Sequence, residues 1–152
     1  MSGRQSGDER LGRLARASSL ALDAGEYADV PAGIVARVRA MCLALPEVVE
    51  RQAWAGTQWR LRHRAFAHVL TVDFADGPVT VVTFRASPTE HDALLSAGPP
   101  FFRPAWGRDA VGLVVDDATD WRHVAELVVD SYRTLAPKKL IALIDAARPP
   151  GD

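Results

Sequence analysis

Three short strand-like segments follow one another between residues 57 and 84, and they constrain the fold more than any other feature. In residues 57–61 apolar side chains alternate with polar ones, which is typical of a half-buried strand. Residues 65–74 and 79–84 are rich in β-branched and aromatic residues, and Asp76-Gly77 between them is a strong hairpin signal. Because such short connections join only antiparallel neighbours, the sequence predicts a three-stranded antiparallel meander.

Two longer segments with helical spacing of apolar residues flank the meander. The first is predicted to begin at a cap on Asp29, with Pro31 in its first turn, and to end at Pro46. The second follows an acidic turn over residues 116–120, which favours a helix N-terminus, and is broken by Pro137. These segments are the two main helices.

Three smaller elements complete the predicted order. A capping box, Ser87 to Glu90, starts a short helix over residues 91–97. A fourth strand is predicted at residues 110–115, and a further short turn or helix at residues 140–147. The helices are too few for a doubly wound parallel sheet. The predicted fold is therefore α+β, an antiparallel sheet of the meander plus a fourth strand, with the two main helices packed on one face.

The chain is predicted to form one domain over residues 29–147. Residues 1–28 are a polar leader, predicted to be disordered or loosely ordered, and residues 148–152 form a flexible tail. The 152 residues carry a formal net charge of −1 and contain no apolar run long enough to span a bilayer. The N-terminus lacks the apolar region of a secretory signal. These features predict a cytoplasmic protein that does not enter a membrane.

No pattern in the sequence indicates a catalytic, metal or cofactor site. The chain has four histidines, none within a known local catalytic motif, and no glycine-rich phosphate loop. Its single cysteine, Cys42, lies in an apolar helical run and is predicted to be a buried hydrophobe. We therefore predict no enzymatic activity, no metal and no cofactor.

Four segments of the chain resemble a known family. They are LALPEVVE, the connector AWAGTQWRL, the loop and strand PPFFRPAWGRDAVGLVVDD, and the helix DWRHVAELVVDSYRTLAPKKL. Together they resemble the MmcQ/YjbR family of small bacterial proteins over residues 34–143. The chain departs from the family at Pro104, which is followed by Ala105, Trp106 and Gly107 where many relatives have His, an aromatic residue and an Asp-Gly turn.

The resemblance implies a CyaY-like (frataxin-like) α+β fold and a double-wing DNA-binding role, in which sheet and loops present basic residues. Residues 51–108 contain seven arginines against four carboxylates, which agrees with such a role. Alternation puts Arg60 and Arg62 on one predicted strand face, with Arg64 at the turn. The predicted nucleic-acid-binding residues are Arg60, Arg62, Arg64, Arg103, Trp106, Arg108, Lys138 and Lys139.

Two other functions stay open from the sequence. Trp54 and Trp106 lie in connectors, and with nearby arginines they predict a cleft for a small anionic or aromatic ligand. The other hypothesis is a structural or partner-binding domain, which an exposed apolar patch would favour. Specific reading of DNA bases is not expected, because no recognition helix bearing Asn or Arg is evident.

Overall fold

The computed structural model describes residues 27–74, 77–104 and 109–147, and these form an α+β fold built on one antiparallel sheet. Within these residues there are seven strands and four helices. In chain order they are β1 (Tyr27–Ala28), α1 (Ala32–Leu43), β2 (Val48–Gln52), β3 (Thr57–Leu61), β4 (Arg64–Phe74), β5 (Gly77–Arg85), α2 (Pro88–Ala97), β6 (Phe101–Phe102), β7 (Ala110–Val115), α3 (Trp121–Leu135) and α4 (Lys138–Ala147). None of the described helices is long and apolar enough to cross a bilayer.

The sheet has the strand order β2-β3-β4-β5-β7-β6, and β1 pairs with β4 beyond Thr57, the first residue of β3. The predicted meander is β3 to β5 and the predicted fourth strand is β7, so the α+β prediction is confirmed. Strands β1, β2 and β6 were not predicted from the sequence. Two of them have only two residues, and β2 has the half-polar sequence VVERQ, which gives no clear alternation.

The two main helices pack on one face of the sheet, as predicted. Val38 and Cys42 of α1 and Val128 of α3 join one buried cluster with Trp59 of β3, and all four are 0 % exposed. Leu140 of α4 reaches the same cluster, so the segment predicted as a short turn or helix is a helix that packs on the core. We call this side of the sheet the helix-covered face.

A second apolar cluster occupies the opposite face. Leu70 and Val72 of β4 lie beside Val81 of β5 and Val114 of β7, and none is more than 6 % exposed. The central strands are therefore buried on both sides, which explains their nearly continuous apolar sequences. At Gly112 a Cβ atom would come within 2.3 Å of the Phe102 ring, so a side chain there would displace β6.

A β-bulge reverses one predicted side-chain direction. Trp59 pairs with Ala67 but Arg60 pairs with Ala65, so Phe66 is an extra residue in β4. Simple alternation placed Phe66 on the same face as His68, and this prediction was wrong. The bulge turns Phe66 to the helix-covered face, where its ring packs edge-on against Tyr132 with centroids 5.4 Å apart.

Helix starts are only partly predictable from the sequence. The Ser87 side chain accepts a hydrogen bond from the Glu90 backbone N–H at 3.3 Å, as the capping box predicted. The predicted cap on α1 was wrong, because the N-cap residue is Pro31 and no side chain, including that of Asp29, makes a capping bond. Tyr27 and Ala28, assigned to the leader, form β1. The predictions for residues 1–26 and 148–152 lie outside the described residues.

Candidate nucleic-acid interface

The turn between β3 and β4 presents two exposed arginines. β3 ends at Leu61 and β4 begins at Arg64, which leaves Arg62 and His63 as the turn. Arg62 has φ of 61°, a left-handed conformation that non-glycine residues adopt mainly in turns. The prediction that Arg62 shares a strand face with Arg60 was therefore wrong. The structure puts Arg62 at the tip, 4.0 Å from the Glu47 carboxylate, and Arg64 at the base.

Arg60 supports this turn rather than presenting a free charge. Its side chain is half-buried, and Nη2 donates to the His63 carbonyl at 2.5 Å. Its Nε is buried and has no hydrogen-bond partner among the described residues. Arg60 was predicted as part of a solvated cationic ribbon. One of its N–H groups instead bonds the turn that carries Arg62.

Arg103 is brought to the same end of the sheet by the pairing of β6 with β7. Phe101 lies opposite Leu113 and Phe102 opposite Gly112, so the chain runs on toward the start of β7. Arg103 is exposed at this point. The predicted partners Trp106 and Arg108 lie outside the described residues.

Lys138 and Lys139 also reach this end, because α3 terminates there. Two side chains fix the last turns of α3. The Ser131 hydroxyl donates to the Phe66 carbonyl at 2.6 Å, and the Tyr132 hydroxyl donates to the Pro46 carbonyl at 2.8 Å. Helix α4 then begins at Lys138, and both lysines are exposed. Residues far apart in the chain therefore meet at one end of the sheet.

We call this set of exposed residues the cationic end: Arg62, Arg64, Arg103, Lys138 and Lys139. No carboxylate of the described residues forms a salt bridge with Arg64, Arg103 or either lysine, and the salt bridge of Arg62 with Glu47 is long, at 4.0 Å. Other cations nearby are neutralised, with Arg85 bonded to Asp109 at 2.8 Å and Arg133 to Asp145 at 2.7 Å.

The opposite end of the sheet is acidic. Asp73 is exposed where β4 ends, and Asp116, Asp117 and Asp120 follow the end of β7. The Asp120 carboxylate caps α3 by accepting from the backbone N–H groups of Arg122 and His123 at 3.1 and 3.3 Å. A net charge near zero thus conceals a separation of charge along the strands. Such a distribution suits binding of a polyanion at the cationic end.

Trp54, predicted to line a ligand cleft, lies at an aromatic corner. Its ring is 61 % exposed and packs edge-on against Tyr27 and His68, with centroids 5.0 and 5.6 Å apart. Burial lowers the pKa of His68, which keeps its imidazole neutral at pH 7, and Nε2 donates to the Ala55 carbonyl at 2.5 Å. The other half of the predicted cleft, Trp106, is not among the described residues. Neither Tyr27 nor His68 was predicted to join it.

The described residues contain no group of three or more His, Cys, Asp or Glu side chains that could hold a metal ion. Cys42 is buried, and burial raises the pKa of its thiol well above the usual range. The thiol therefore stays protonated and unreactive, as expected for a small hydrophobe in the core.

Strands β2 to β7, together with α2 and most of α3, correspond to a known family. A family model described as YjbR matches residues 43–134, from the last residue of α1 almost to the end of α3. The chain belongs to the YjbR family. A search of curated proteins found no match. The YjbR match includes the arginines of the β3–β4 turn and Arg103, whereas Lys138 and Lys139 lie beyond it.

Proposed function

We propose that this protein binds double-stranded DNA through the cationic end, without reading its sequence and without catalysing a reaction. The observation that carries the proposal is the gathering of exposed cations from three separate chain segments at one end of the sheet. No carboxylate of residues 27–74, 77–104 and 109–147 pairs with Arg64, Arg103, Lys138 or Lys139, so these four charges are available to phosphates.

The spacing of the cations also suits a duplex. In the sheet order, β3 and β6 are separated by four strand steps of about 4.8 Å, or about 19 Å. The β3–β4 turn and Arg103 therefore form two basic projections with a gap wider than the roughly 12 Å major groove of B-DNA. Two such projections can contact phosphates on both sides of a groove. Lys138 and Lys139 add charges on the helix-covered side.

The resemblance noted from the sequence implies the same role, since the MmcQ/YjbR family is associated with double-wing DNA binding on a CyaY-like fold. A DNA partner implies the bacterial cytoplasm as the location. Arginine and lysine contacts to phosphate fix position but carry no sequence information. The proposed binding is therefore weak, dependent on salt and nearly indifferent to sequence.

The test is a titration of fluorescent duplex DNA with the full chain at several salt concentrations. In the Arg62→Ala/Arg64→Ala variant, the slope of log K against log salt should fall in magnitude by about 2, because each lost phosphate contact removes about 0.9. Lys138→Ala/Lys139→Ala should give a similar or smaller change. Single-stranded DNA of equal length gives the preference for a duplex.

A matched control removes two exposed arginines that lie outside the cationic end. Arg51→Ala/Arg122→Ala changes the net charge by the same amount, but Arg122 is at the acidic end and Arg51 is near the far end of β2. This variant should keep the wild-type slope. Two results would show that DNA is not bound at the cationic end. One is absence of binding at low salt, and the other is an equal fall in slope in Arg62→Ala/Arg64→Ala and in the control Arg51→Ala/Arg122→Ala.

A further inference from the structure

The pairing of β4 with β5 stops before either strand ends, and a cavity lies over the opening. Their register runs as far as Ala67 opposite Phe84. Beyond that point the Ser131 hydroxyl, from α3, donates to the Phe66 carbonyl at 2.6 Å and accepts from the Arg85 backbone N–H at 2.8 Å. A helix side chain thus replaces a ladder bond and holds the strands apart. The cavity has a volume of about 210 Å³, roughly that of seven water molecules.

Three neighbouring strands supply a row of polar side chains along this cavity. Gln58 lies opposite His68, and His68 lies opposite Thr83, so the three side chains sit side by side on the face opposite the helices. All three line the cavity, and Thr83 is only 5 % exposed. The backbone register therefore fixes an amide, an imidazole and a hydroxyl in one place.

A guanidinium completes the polar part of the wall. Arg85 donates from Nε to the Ala65 carbonyl at 2.8 Å and from Nη1 to the Asp109 carboxylate at 2.8 Å. These two bonds fix the plane of the guanidinium and use two of its five N–H groups. The bond to Ala65 also satisfies a carbonyl beside the β-bulge. Arg85 is thus a rigid donor, with N–H groups left for a ligand.

The remaining wall of the cavity is small and apolar. Ala65, Ala67 and Ala110 line the cavity. Arg60 lies opposite Ala65 in the register, with a buried Nε that has no partner among the described residues. The N–H groups of Arg85 that remain beyond its bonds to Ala65 and Asp109 favour an anion, and the alanine wall leaves room for an apolar body.

We propose that this cavity binds a small organic carboxylate of about the size of benzoate. The carboxylate accepts hydrogen bonds from the Arg85 guanidinium and the Thr83 hydroxyl, because a planar carboxylate matches the guanidinium fork. The apolar body lies over the alanine wall. This site uses residues outside the cationic end and does not depend on DNA binding.

The test is isothermal titration of the full chain with benzoate, and with benzamide as a neutral probe of matched shape. Benzoate should bind at one site, with affinity in the millimolar range or better. Benzamide should bind at least about tenfold more weakly, because it lacks charge-assisted hydrogen bonds. No saturable binding of benzoate at millimolar concentrations, or equal binding of the two probes, would overturn the proposal.

Variants locate the site. Thr83→Val keeps the side-chain shape but removes the hydroxyl, and should weaken benzoate binding several-fold. Ala110→Leu fills the cavity from the half-buried start of β7 and should abolish binding. Arg133→Gln is the control, because it removes one cation from another Arg–Asp pair and should leave affinity unchanged. Binding that survives Ala110→Leu would overturn the proposed location. The decision does not need Arg85→Gln. If that variant fails to fold because the Ala65 carbonyl loses its donor, Thr83→Val and Ala110→Leu still show whether benzoate binds in this cavity.

Discussion

The two halves of the β4–β5 pair are held together in different ways. In the hairpin half, backbone pairing runs without interruption from Phe74–Gly77 to Ala67–Phe84. In the splayed half, beyond Ala67–Phe84, the strands are joined by side chains. Ser131 bridges one carbonyl and one N–H group, and Arg85 reaches across to Ala65.

The difference shows how a regular sheet acquires a binding cavity. The hairpin half is specified locally, by β-branched residues and by a connection of only two residues between the paired Phe74 and Gly77. The splayed half is specified by residues distant in the chain, since Ser131 lies 65 positions from Phe66. Where side chains replace backbone pairing, space opens and polar groups line it. The following predictions compare the two halves.

The largest expected effect is in the hairpin half. Leu70 is 0 % exposed, so Leu70→Ala should reduce the free energy of unfolding by about 2–5 kcal/mol through lost burial and a residual cavity. Urea denaturation at pH 7 measures this change. Val49→Ala, at a position 56 % exposed on edge strand β2, is the control and should change stability by less than about 0.5 kcal/mol. A small effect at Leu70 would show that the face opposite the helices is not close-packed.

The next effect is in the splayed half. Ser131→Ala removes the bridge and leaves the Phe66 carbonyl and the Arg85 N–H without their partner. The free energy of unfolding should fall by about 1–3 kcal/mol, since unsatisfied buried groups carry a desolvation penalty. Thermal and urea denaturation report the loss.

The control for Ser131 is another hydroxyl on the same helix. Thr134 donates to the Ser131 carbonyl but is exposed, so Thr134→Ala should cost only a few tenths of a kcal/mol. Equal losses in the two variants would show that the strands do not depend on the bridge.

A buried pair of threonines in the hairpin half gives a smaller effect of a different kind. Thr71 and Thr80 share a hydrogen bond of 2.7 Å between their hydroxyls. Thr71→Val alone should lower the free energy of unfolding by about 1 kcal/mol, because it leaves the Thr80 hydroxyl without a hydrogen-bond partner. The double variant Thr71→Val/Thr80→Val should be nearly neutral. Urea denaturation of the two single variants and the double variant measures the coupling. No such rescue exists for Ser131, whose partners are backbone groups.

The sequence predicted the fold where local signals are strong. Alternation in β3, the Asp76-Gly77 sequence signal and the Ser87 capping box sufficed to predict the meander and the start of α2, although Asp76 itself lies outside the described residues. It missed β2 because an edge strand need not alternate. It placed Phe66 on the wrong face because a bulge shifts the side-chain period by one residue, and nothing in the local sequence marks the bulge.

The candidate sites show the same division. The sequence identified Arg62, Arg64 and Lys138 as exposed cations, but their approach to one end of the sheet depends on strand order and on where α3 stops. The cavity residues Thr83 and Arg85 gave no signal. A threonine and an arginine in a strand are ordinary until the register sets them beside neighbouring strands.

The smallest expected effect depends on pH and belongs to His68, where the two halves meet. Burial lowers the pKa of His68 below its usual 6.5, although the bond to the Ala55 carbonyl opposes part of this shift. The folded protein therefore keeps His68 neutral at a pH where the unfolded chain binds a proton. Its contribution to stability is complete above pH 6.5 and falls as the pH drops from 6.5 toward the folded-state pKa. Between pH 7 and pH 6 this loss reaches at most about 0.7 kcal/mol.

His68→Gln should remove this pH dependence, because an amide can donate to the Ala55 carbonyl without titrating. Urea denaturation of wild type and variant at pH 7 and pH 6 measures the difference. If both lose the same stability over this range, His68 is not held in its neutral form. The row of Gln58, His68 and Thr83 would then be more open to water than the 4 % exposure of His68 indicates.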